Sequence, residues 1–157
     1  LFPASIIPAR IHELLPEGYT LRPLQRTDYS NGFLDVLRVL TTVGDIPQQA
    51  WEERYDYMAQ RNDEYFVICV CDGYGKVVGV GTLVIERKFL RNLGSVGHVE
   101  DISVAKEQQG KRLGWVIIQA LDAIAEAQGC YKAFLDCSEA NRGFYEKCGY
   151  SLAGVQM

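Results

Sequence analysis

A short turn, QQGKRLG at positions 108–114, holds the residues with the clearest chemical potential. It contains two glycines, two cations and no carboxylate, and an amphipathic segment, LGWVIIQALDAIAEA, begins inside it at position 113. A helix that starts here leaves its first backbone N–H groups without intrahelical acceptors, and its macrodipole adds partial positive charge. These features predict a site for phosphate or diphosphate, although a glycine turn before a helix is more often simple punctuation.

Two common nucleotide-phosphate motifs do not match this turn. A P-loop requires G-x-x-x-x-G-K-[ST], whereas Gly114 is followed by Trp115 and Val116. The dinucleotide fingerprint G-x-G-x-x-G does not fit either. The turn therefore predicts an anion site of another kind.

Three carboxylates and one phenol could move protons near such a site. Glu100 and Asp101 are adjacent acids inside a β-rich run, where acids are uncommon. Strand alternation predicts that they face opposite sides of a sheet, and a solvated sheet edge would also explain them. Asp136 follows a further β-rich run. Tyr145 stands next to Phe144, and adjacent helical positions diverge by about 100°, so we expect Phe144 in the core and Tyr145 toward the site. The alternative is that Tyr145 is itself a core aromatic.

Hydrophobic periodicity and turn residues predict the elements that must position these groups. One helical face is defined by the apolar residues Leu113, Val116, Ile117, Ala120, Leu121 and Ile124, and Gly129 ends this helix. Other helices are predicted from Thr27 or Asp28 to about Leu40, from Pro47 to about Gln60, and over 139–148. Strands are predicted over 19–25, 64–72, 76–89, 97–104, 131–137 and 150–157. This order predicts one α/β domain with a mixed, mostly antiparallel sheet and helices on both faces.

The composition narrows the class of protein. The chain has 157 residues, 48% hydrophobic and 23% charged, which suits one globular domain. A formal net charge of −4 argues against nucleic-acid binding, and no apolar run reaches the roughly 20 residues of a membrane span. Five cysteines without C-x-x-C spacing and without a signal peptide predict reduced thiols in the cytoplasm and no metal site. Residues 1–18 contain three prolines and are predicted to form an N-terminal arm before a domain over 19–157.

Several motifs together carry a family resemblance. The strand HVEDISV, the turn Q-G-x-x-L-G, the following helix and the segment FYEKCGY resemble the GNAT superfamily of acetyl-CoA-dependent N-acetyltransferases. The usual turn pattern is [Q/R]-x-x-G-x-[G/A]; Gln109 and Gly114 fit it, whereas Arg112 replaces the middle glycine. LTTVGDI, IERKF, GCYKAFLDC and NRGFYEKCGYSLAGVQM are similar to the glucosamine 6-phosphate N-acetyltransferase branch of that superfamily.

The resemblance implies a set of residues that bind and activate acetyl-CoA as cosubstrate. The diphosphate would lie over the turn, the pantetheine arm would pair with the strand at Ser103, and the Ile102 N–H would face the thioester carbonyl. Tyr145 would donate a proton to the departing sulfur. The implied cofactor-binding residues are Ile102, Ser103, Val104, Gly110, Lys111, Arg112, Leu113, Gly114, Trp115 and Tyr145.

The resemblance also implies an amino-sugar phosphate as acceptor and a homodimer with shared active sites. The implied catalytic residues are Tyr145, Glu100, Asp101, Asp136 and Ile102. The implied substrate-binding residues are Thr41, Lys88, Arg91, Glu100, Asp101, Tyr131, Lys132 and Asp136. Which carboxylate, or which water held by one, takes the amine proton stays open. The alternatives are an acetyltransferase acting on a protein or another amine, and a non-catalytic module that binds acetyl-CoA.

Overall fold

The computed structural model describes residues 1–155 and contains a five-stranded sheet in the order β1-β2-β3-β4-β5. The first three strand pairs are antiparallel, and β4 and β5 are parallel. This arrangement confirms the predicted mixed, mostly antiparallel α/β fold. The strands are β1 (Thr20–Pro23), β2 (Tyr65–Cys71), β3 (Val77–Arg87), β4 (Ser95–Val104) and β5 (Cys130–Phe134).

Helices cover both faces of the sheet. On one face, helix α5 (Leu113–Ala127) packs so closely that a Cβ atom placed at Gly81 would lie 2.4 Å from the Ile117 side chain. On the other face, the Ser103 Oγ donates a hydrogen bond of 2.7 Å to the backbone carbonyl of Val36 in α2. No helix among residues 1–155 is both long enough and apolar enough to span a bilayer. The helices are α1 (Ala9–His12), α2 (Phe33–Leu40), α3 (Gln48–Ala59), α4 (Leu90–Leu93), α5 (Leu113–Ala127) and α6 (Arg142–Lys147), with 3₁₀ turns over Ala4–Ile6, Arg26–Ser30, Lys106–Gln108 and Glu139–Asn141.

The hairpin between β2 and β3 explains why two long apolar strands pair in a fixed register. Its turn contains Gly75 at φ +81°, and the Asp72 carboxylate accepts hydrogen bonds of 3.0 Å from the N–H groups of Tyr74 and Lys76. Asparagine, aspartate and glycine are favoured in turns for these two reasons. The predicted hairpin is confirmed, and it places the central strand β3 beside β4, which carries the candidate acids.

Three predicted elements differ in the structure. The helix expected from residue 27 to 40 is divided, because Gly32 adopts φ +93° between the 3₁₀ turn and α2. The strand expected over 131–137 ends at Phe134, and the last three residues leave the sheet. The strand expected over 150–157 is wrong for residues 150–155, which pair with no strand in the described chain. Residues 156–157 lie outside the described residues.

The N-terminal arm packs against the domain. Phe2, Ile7 and Ile11 are buried in the common core, and the Phe2 ring lies 5.0 Å from the Phe66 ring of β2. Each side chain that leaves water in this way contributes roughly 1.5–3 kcal/mol. The arm therefore shares the hydrophobic core, and its boundary at residue 18 stays a prediction.

Candidate active site

The glycine turn before α5 presents a row of unsatisfied donors. Gly110 adopts φ +80° and Arg112 adopts φ +65° immediately before the first helical residue. None of the backbone N–H groups from Gly110 to Trp115 has an acceptor in the part of the chain that the structure describes; the first helical bond is Val116 N–H to the Arg112 carbonyl, 3.1 Å. Six adjacent donors at a helix N-terminus form a binding surface for an anion.

Side chains fix this turn from two directions. Gln109 donates a hydrogen bond of 3.2 Å to the Val104 carbonyl, which ties the turn to the end of β4. The Arg112 guanidinium lies 4.6 Å from the Trp115 ring, a cation–π arrangement that holds the charge over the first turn of α5. The predicted strand–turn–helix unit is therefore present, and it has the donors and charges that the sequence implied.

Strand β4 offers an open edge beside the turn. Its pairing with β5 ends at His98 and Phe134, so the same edge from Val99 to Val104 has no strand partner within residues 1–155. Such an edge can accept an extended chain of amide groups by backbone hydrogen bonding. The Ser103 hydroxyl points away to α2, so a ligand along this edge would meet its backbone.

A β-bulge lies at the second of the two adjacent acids. Val80 pairs with Ser103 and Thr82 pairs with Glu100, so two residues of β4 oppose one residue of β3. Asp101 sits in this bulge with φ +54°. Glu100 keeps its regular pairing with Thr82, the bulge interrupts the strand at Asp101, and both residues are largely exposed. That they face opposite sides of the sheet stays a prediction. Bulges commonly re-aim side chains next to functional sites.

The carboxylates form one electrostatic cluster. Burial, then the charges of Asp101 and Asp136, raises the pKa of Glu100, and the charge of His98 opposes them. Partial burial of its carboxyl group raises the pKa of Asp101 as well, although both residues keep much of their surface in water. The three acids predicted from sequence are thus brought together, although Asp136 lies beyond the end of β5. A carboxyl group whose pKa is raised by burial and by neighbouring carboxylates is typical of general acid–base sites.

The predicted proton donor to the sulfur, Tyr145, lies in α6. Tyr145 in α6 is partly buried, and burial followed by the nearby Cys137 and Cys148 raises its pKa. It therefore holds its proton at neutral pH. The expectation for its neighbour is wrong: Phe144 is 37% exposed and packs near Gly114, where an added Cβ would lie 3.3 Å from its ring. Phe144 thus covers the start of α5 because α6 lies against the turn.

The cations predicted to bind substrate lie between the end of β3 and the start of β4, and in β5 beside the start of β4. Lys88 donates to the Glu86 carboxylate at 2.5 Å, and the Lys132 ammonium lies 5.4 Å from the Phe134 ring. Arg91, in the left-handed turn of α4, lies 5.8 Å from the Tyr131 ring. These three cations and Tyr131 thus cluster where β4 begins. Glu100 and Asp101 lie further along the same strand, where Glu100 pairs with Thr82 in the middle of β3. Thr41 directly follows α2 as an exposed residue, and its substrate contact stays a prediction.

Sequence reasoning missed two residues of this surface. Glu86 accepts from Lys88 and is 2.8 Å from His98 Nε2, and the His98 ring lies 4.3 Å from the Phe134 ring. Hydrogen bonds from Lys88 and then His98 lower the pKa of Glu86. The signal was present in the motifs IERKF and GHVED, because the β3–β4 register pairs Val84 with His98 and brings the two motifs together.

The fold and the site define an acyltransferase class. The sequence model of the acetyltransferase (GNAT) family matches residues 22–150. Most of the chain lies within this match, and it includes β4, the glycine turn, α5 and Tyr145. The chain belongs to the GNAT family of acetyltransferases.

Three relatives of known name are similar to this chain over most of its length. The glucosamine 6-phosphate N-acetyltransferase of Candida albicans is 46% identical over 144 residues, which are 92% of this chain and 97% of the relative. Glucosamine 6-phosphate N-acetyltransferase 1 of Dictyostelium discoideum is 41% identical over 145 residues, 92% of each chain. The crystal structure of glucosamine-6-phosphate N-acetyltransferase from Arabidopsis thaliana matches with a TM-score of 0.87 at 36% identity, covering 90% of this chain and 97% of that one.

Proposed function

We propose that this protein transfers the acetyl group of acetyl-CoA to the amine of D-glucosamine 6-phosphate. The products are N-acetyl-D-glucosamine 6-phosphate and CoA, and the sugar product is a precursor of UDP-N-acetylglucosamine. The observation that carries the proposal is the similarity, over most of the chain, to relatives named for this reaction. The cations around the start of β4 and the carboxylates further along that strand supply charges that the reaction needs.

The donor side of the site fits acetyl-CoA. The diphosphate accepts the free N–H groups between Gly110 and Trp115, and Arg112 adds a full charge. The pantetheine arm pairs with the open edge of β4 from Val99 to Val104. This orientation delivers the thioester to the middle of the strand, where the Ile102 N–H serves the carbonyl oxygen.

The reaction proceeds by direct attack in a ternary complex. The amine lone pair attacks the thioester carbon, and the negative charge that develops on oxygen is stabilised by the Ile102 N–H. The C–S bond then breaks, and the thiolate takes the phenolic proton of Tyr145. The proton lost by the amine goes to the carboxylate cluster, in which Glu100 has a pKa raised by burial and by the charge of Asp101.

The acceptor site distinguishes the phosphorylated sugar from other amines by binding its phosphate group. Lys88, Arg91 and Lys132 bind the 6-phosphate, and Tyr131 and Thr41 contact the sugar. Asp101 and Asp136 lie beside the amine and bind its hydrogen atoms. A lysine at this surface stabilises a bound phosphate dianion more than it stabilises a neutral sugar, because the Coulomb energy scales with the product of the charges.

The active enzyme is a cytoplasmic homodimer that shares its sugar sites between subunits. The free C-terminal segment supports this assembly, because Leu152 is 71% exposed and Val155 is 88% exposed and neither pairs within the described chain. The cytoplasmic location rests on the odd number of cysteines in the sequence. Light scattering of the purified chain measures the assembly: a monomer at micromolar concentration refutes it.

Thiol release measured with three acceptors tests the reaction. The proposal expects rapid CoA release with glucosamine 6-phosphate, weak release with glucosamine and none above background with a lysine peptide. Equal efficiency with the unphosphorylated sugar refutes the phosphate site, and preference for the peptide favours the alternative of a protein acetyltransferase. Lys88→Met and Arg91→Met raise KM for the phosphorylated sugar and leave KM for glucosamine unchanged.

A further inference from the structure

We propose that Tyr19 and Gln108 are positioning residues that hold the Lys111 ammonium for the diphosphate of the coenzyme. This inference rests on the proposed binding of acetyl-CoA at the glycine turn and assigns a role to two residues outside that turn. It ties the affinity for the coenzyme to the residue that directly precedes β1.

The three side chains form a closed hydrogen-bonded triangle. The Tyr19 hydroxyl donates to Gln108 Oε1 at 2.5 Å. The Lys111 ammonium donates to the same Gln108 oxygen at 2.7 Å and to the Tyr19 oxygen at 3.0 Å. Its nitrogen also lies 5.7 Å from the centre of the Tyr19 ring. A lysine side chain normally keeps many rotamers on a surface, so three such contacts fix its charge in one place.

The partners of Lys111 are neutral. Both oxygens belong to uncharged groups, and no carboxylate within residues 1–155 pairs with this ammonium. The triangle therefore orders the charge without cancelling it. An ammonium has three donors, and this geometry uses two of them, so the third is available to a ligand.

The position of the triangle identifies the ligand. Lys111 lies inside the run of free N–H donors from Gly110 to Trp115, so its remaining donor and those N–H groups serve the same anion. Arg112, the next residue, is stacked on Trp115 and is not part of the triangle. The diphosphate, which the turn itself binds, is thus the group that Lys111 contacts, in preference to the ribose 3′-phosphate.

Tyr19 is suited to substitution because only one atom needs to be removed. Tyr19→Phe keeps the ring that packs against the core and deletes the hydroxyl. We expect KM for acetyl-CoA to rise about three- to tenfold with kcat unchanged, the effect of losing one net hydrogen bond. Tyr74→Phe is the matched control, since Tyr74 is 99% exposed in the β2–β3 turn, and it leaves both constants unchanged.

Two substitutions of Gln108 distinguish an electrostatic role of this side chain from a role in packing. Gln108→Glu places a carboxylate against Lys111, cancels its charge and repels the diphosphate, so KM for acetyl-CoA rises more than tenfold. Gln108→Met keeps the length of the side chain and raises KM less than Gln108→Glu does. An equal effect of both variants means that packing alone matters and overturns the proposal.

A double-mutant comparison tests whether Tyr19 acts through Lys111. In a Lys111→Met background, Tyr19→Phe should have no further effect on the Kd for CoA measured by calorimetry. The Tyr19→Phe penalty should persist with dephospho-CoA, which retains the diphosphate, and should vanish with pantetheine, which has none. An undiminished penalty in the Lys111→Met background overturns the positioning role, and loss of the penalty with dephospho-CoA overturns the assignment to the diphosphate.

The outcomes distinguish this inference from the proposed function. If wild-type protein neither binds CoA nor releases thiol, the proposed function itself fails. If wild-type protein is active and Tyr19→Phe and Gln108→Glu both match it in KM for acetyl-CoA, only the positioning role fails.

Discussion

The substitution Asp28→Asn should remove a large part of the folding stability. The Asp28 side chain is fully buried, and its carboxylate accepts hydrogen bonds of 2.8 and 2.7 Å from the Arg22 guanidinium. It also accepts 2.8 Å from the Gln25 N–H, which begins the 3₁₀ turn that precedes α2. An asparagine would leave the half-buried charge of Arg22 without its counter-ion. Its amide NH₂ group would also face the N–H donors that the carboxylate now accepts from.

The magnitude follows from this burial. Removing one partner of a buried ion pair costs about 3–5 kcal/mol, because the remaining charge keeps its desolvation penalty. A domain of this class has about 5–15 kcal/mol in total. At about 2–4 °C per kcal/mol for a chain of this size, the melting temperature should fall by about 6–20 °C.

The assay is thermal unfolding followed by circular dichroism, with a matched control. Asp35→Asn breaks the neighbouring pair with Arg38, in which the Asp35 side chain is 72% exposed, and should cost less than about 1 kcal/mol. The double substitution Arg22→Met with Asp28→Leu should recover part of the loss, since no buried charge is left unpaired. If Asp28→Asn unfolds at the same temperature as Asp35→Asn, the buried pair does not carry the stability assigned to it.

The same pair predicts the sign of a pH dependence. Burial alone would raise the pKa of Asp28, but the hydrogen bonds from Arg22 and the Gln25 N–H outweigh it and lower the pKa. A lowered folded-state pKa means that this stability is present above the ordinary aspartate pKa and is lost as the pH falls through the folded value. The stability gap between wild type and Asp28→Asn should therefore narrow under strongly acidic conditions.

Three further predictions concern the site and the sheet beneath it. Tyr145→Phe should lower kcat about 10²-fold or more while the Kd for CoA changes little, as steady-state kinetics and calorimetry can measure; unchanged turnover means that the thiolate leaves without this phenol. Since burial and Asp101 raise the pKa of Glu100, kcat/KM should rise with pH through a value above the ordinary glutamate pKa, and Glu100→Gln should abolish that limb; a profile unaltered in Glu100→Gln assigns the base elsewhere. Gly81→Val should destabilise by about 1–3 kcal/mol or more in denaturant titrations, because its Cβ would lie 2.4 Å from Ile117, and wild-type stability would mean that α5 can shift away.

Local patterns predicted the parts of this protein that depend on nearby residues. The amphipathic spacing after Gly110 specified α5, because its apolar face covers the sheet in the way that periodicity requires. The apolar run FVICVC specified β2 for the same reason, since all six of these residues are buried. The turn before α5 was recognisable because glycines and cations at the start of a helix usually either form a simple turn or bind an anion.

Long-range contacts account for what the patterns missed. A one-residue bulge at Asp101 has no local signature in HVEDISV, yet it changes the backbone there to φ +54°. The Glu86–His98 contact requires the β3–β4 register, and the Tyr19–Gln108 contact joins residues 89 positions apart. The sequence predicts a strand over residues 150–155, but a strand also needs a partner edge, and the described chain supplies none.

An NMR titration of ¹⁵N-labelled protein with CoA tests the central claim most directly. The backbone amides of Gly110 to Trp115 lack acceptors in the described chain, and we predict that they show the largest chemical-shift changes and saturate together. Pantetheine without the diphosphate should perturb the edge of β4 and leave these amides unchanged. If CoA shifts other amides and leaves the turn unperturbed, the assignment of this turn as the coenzyme site is contradicted.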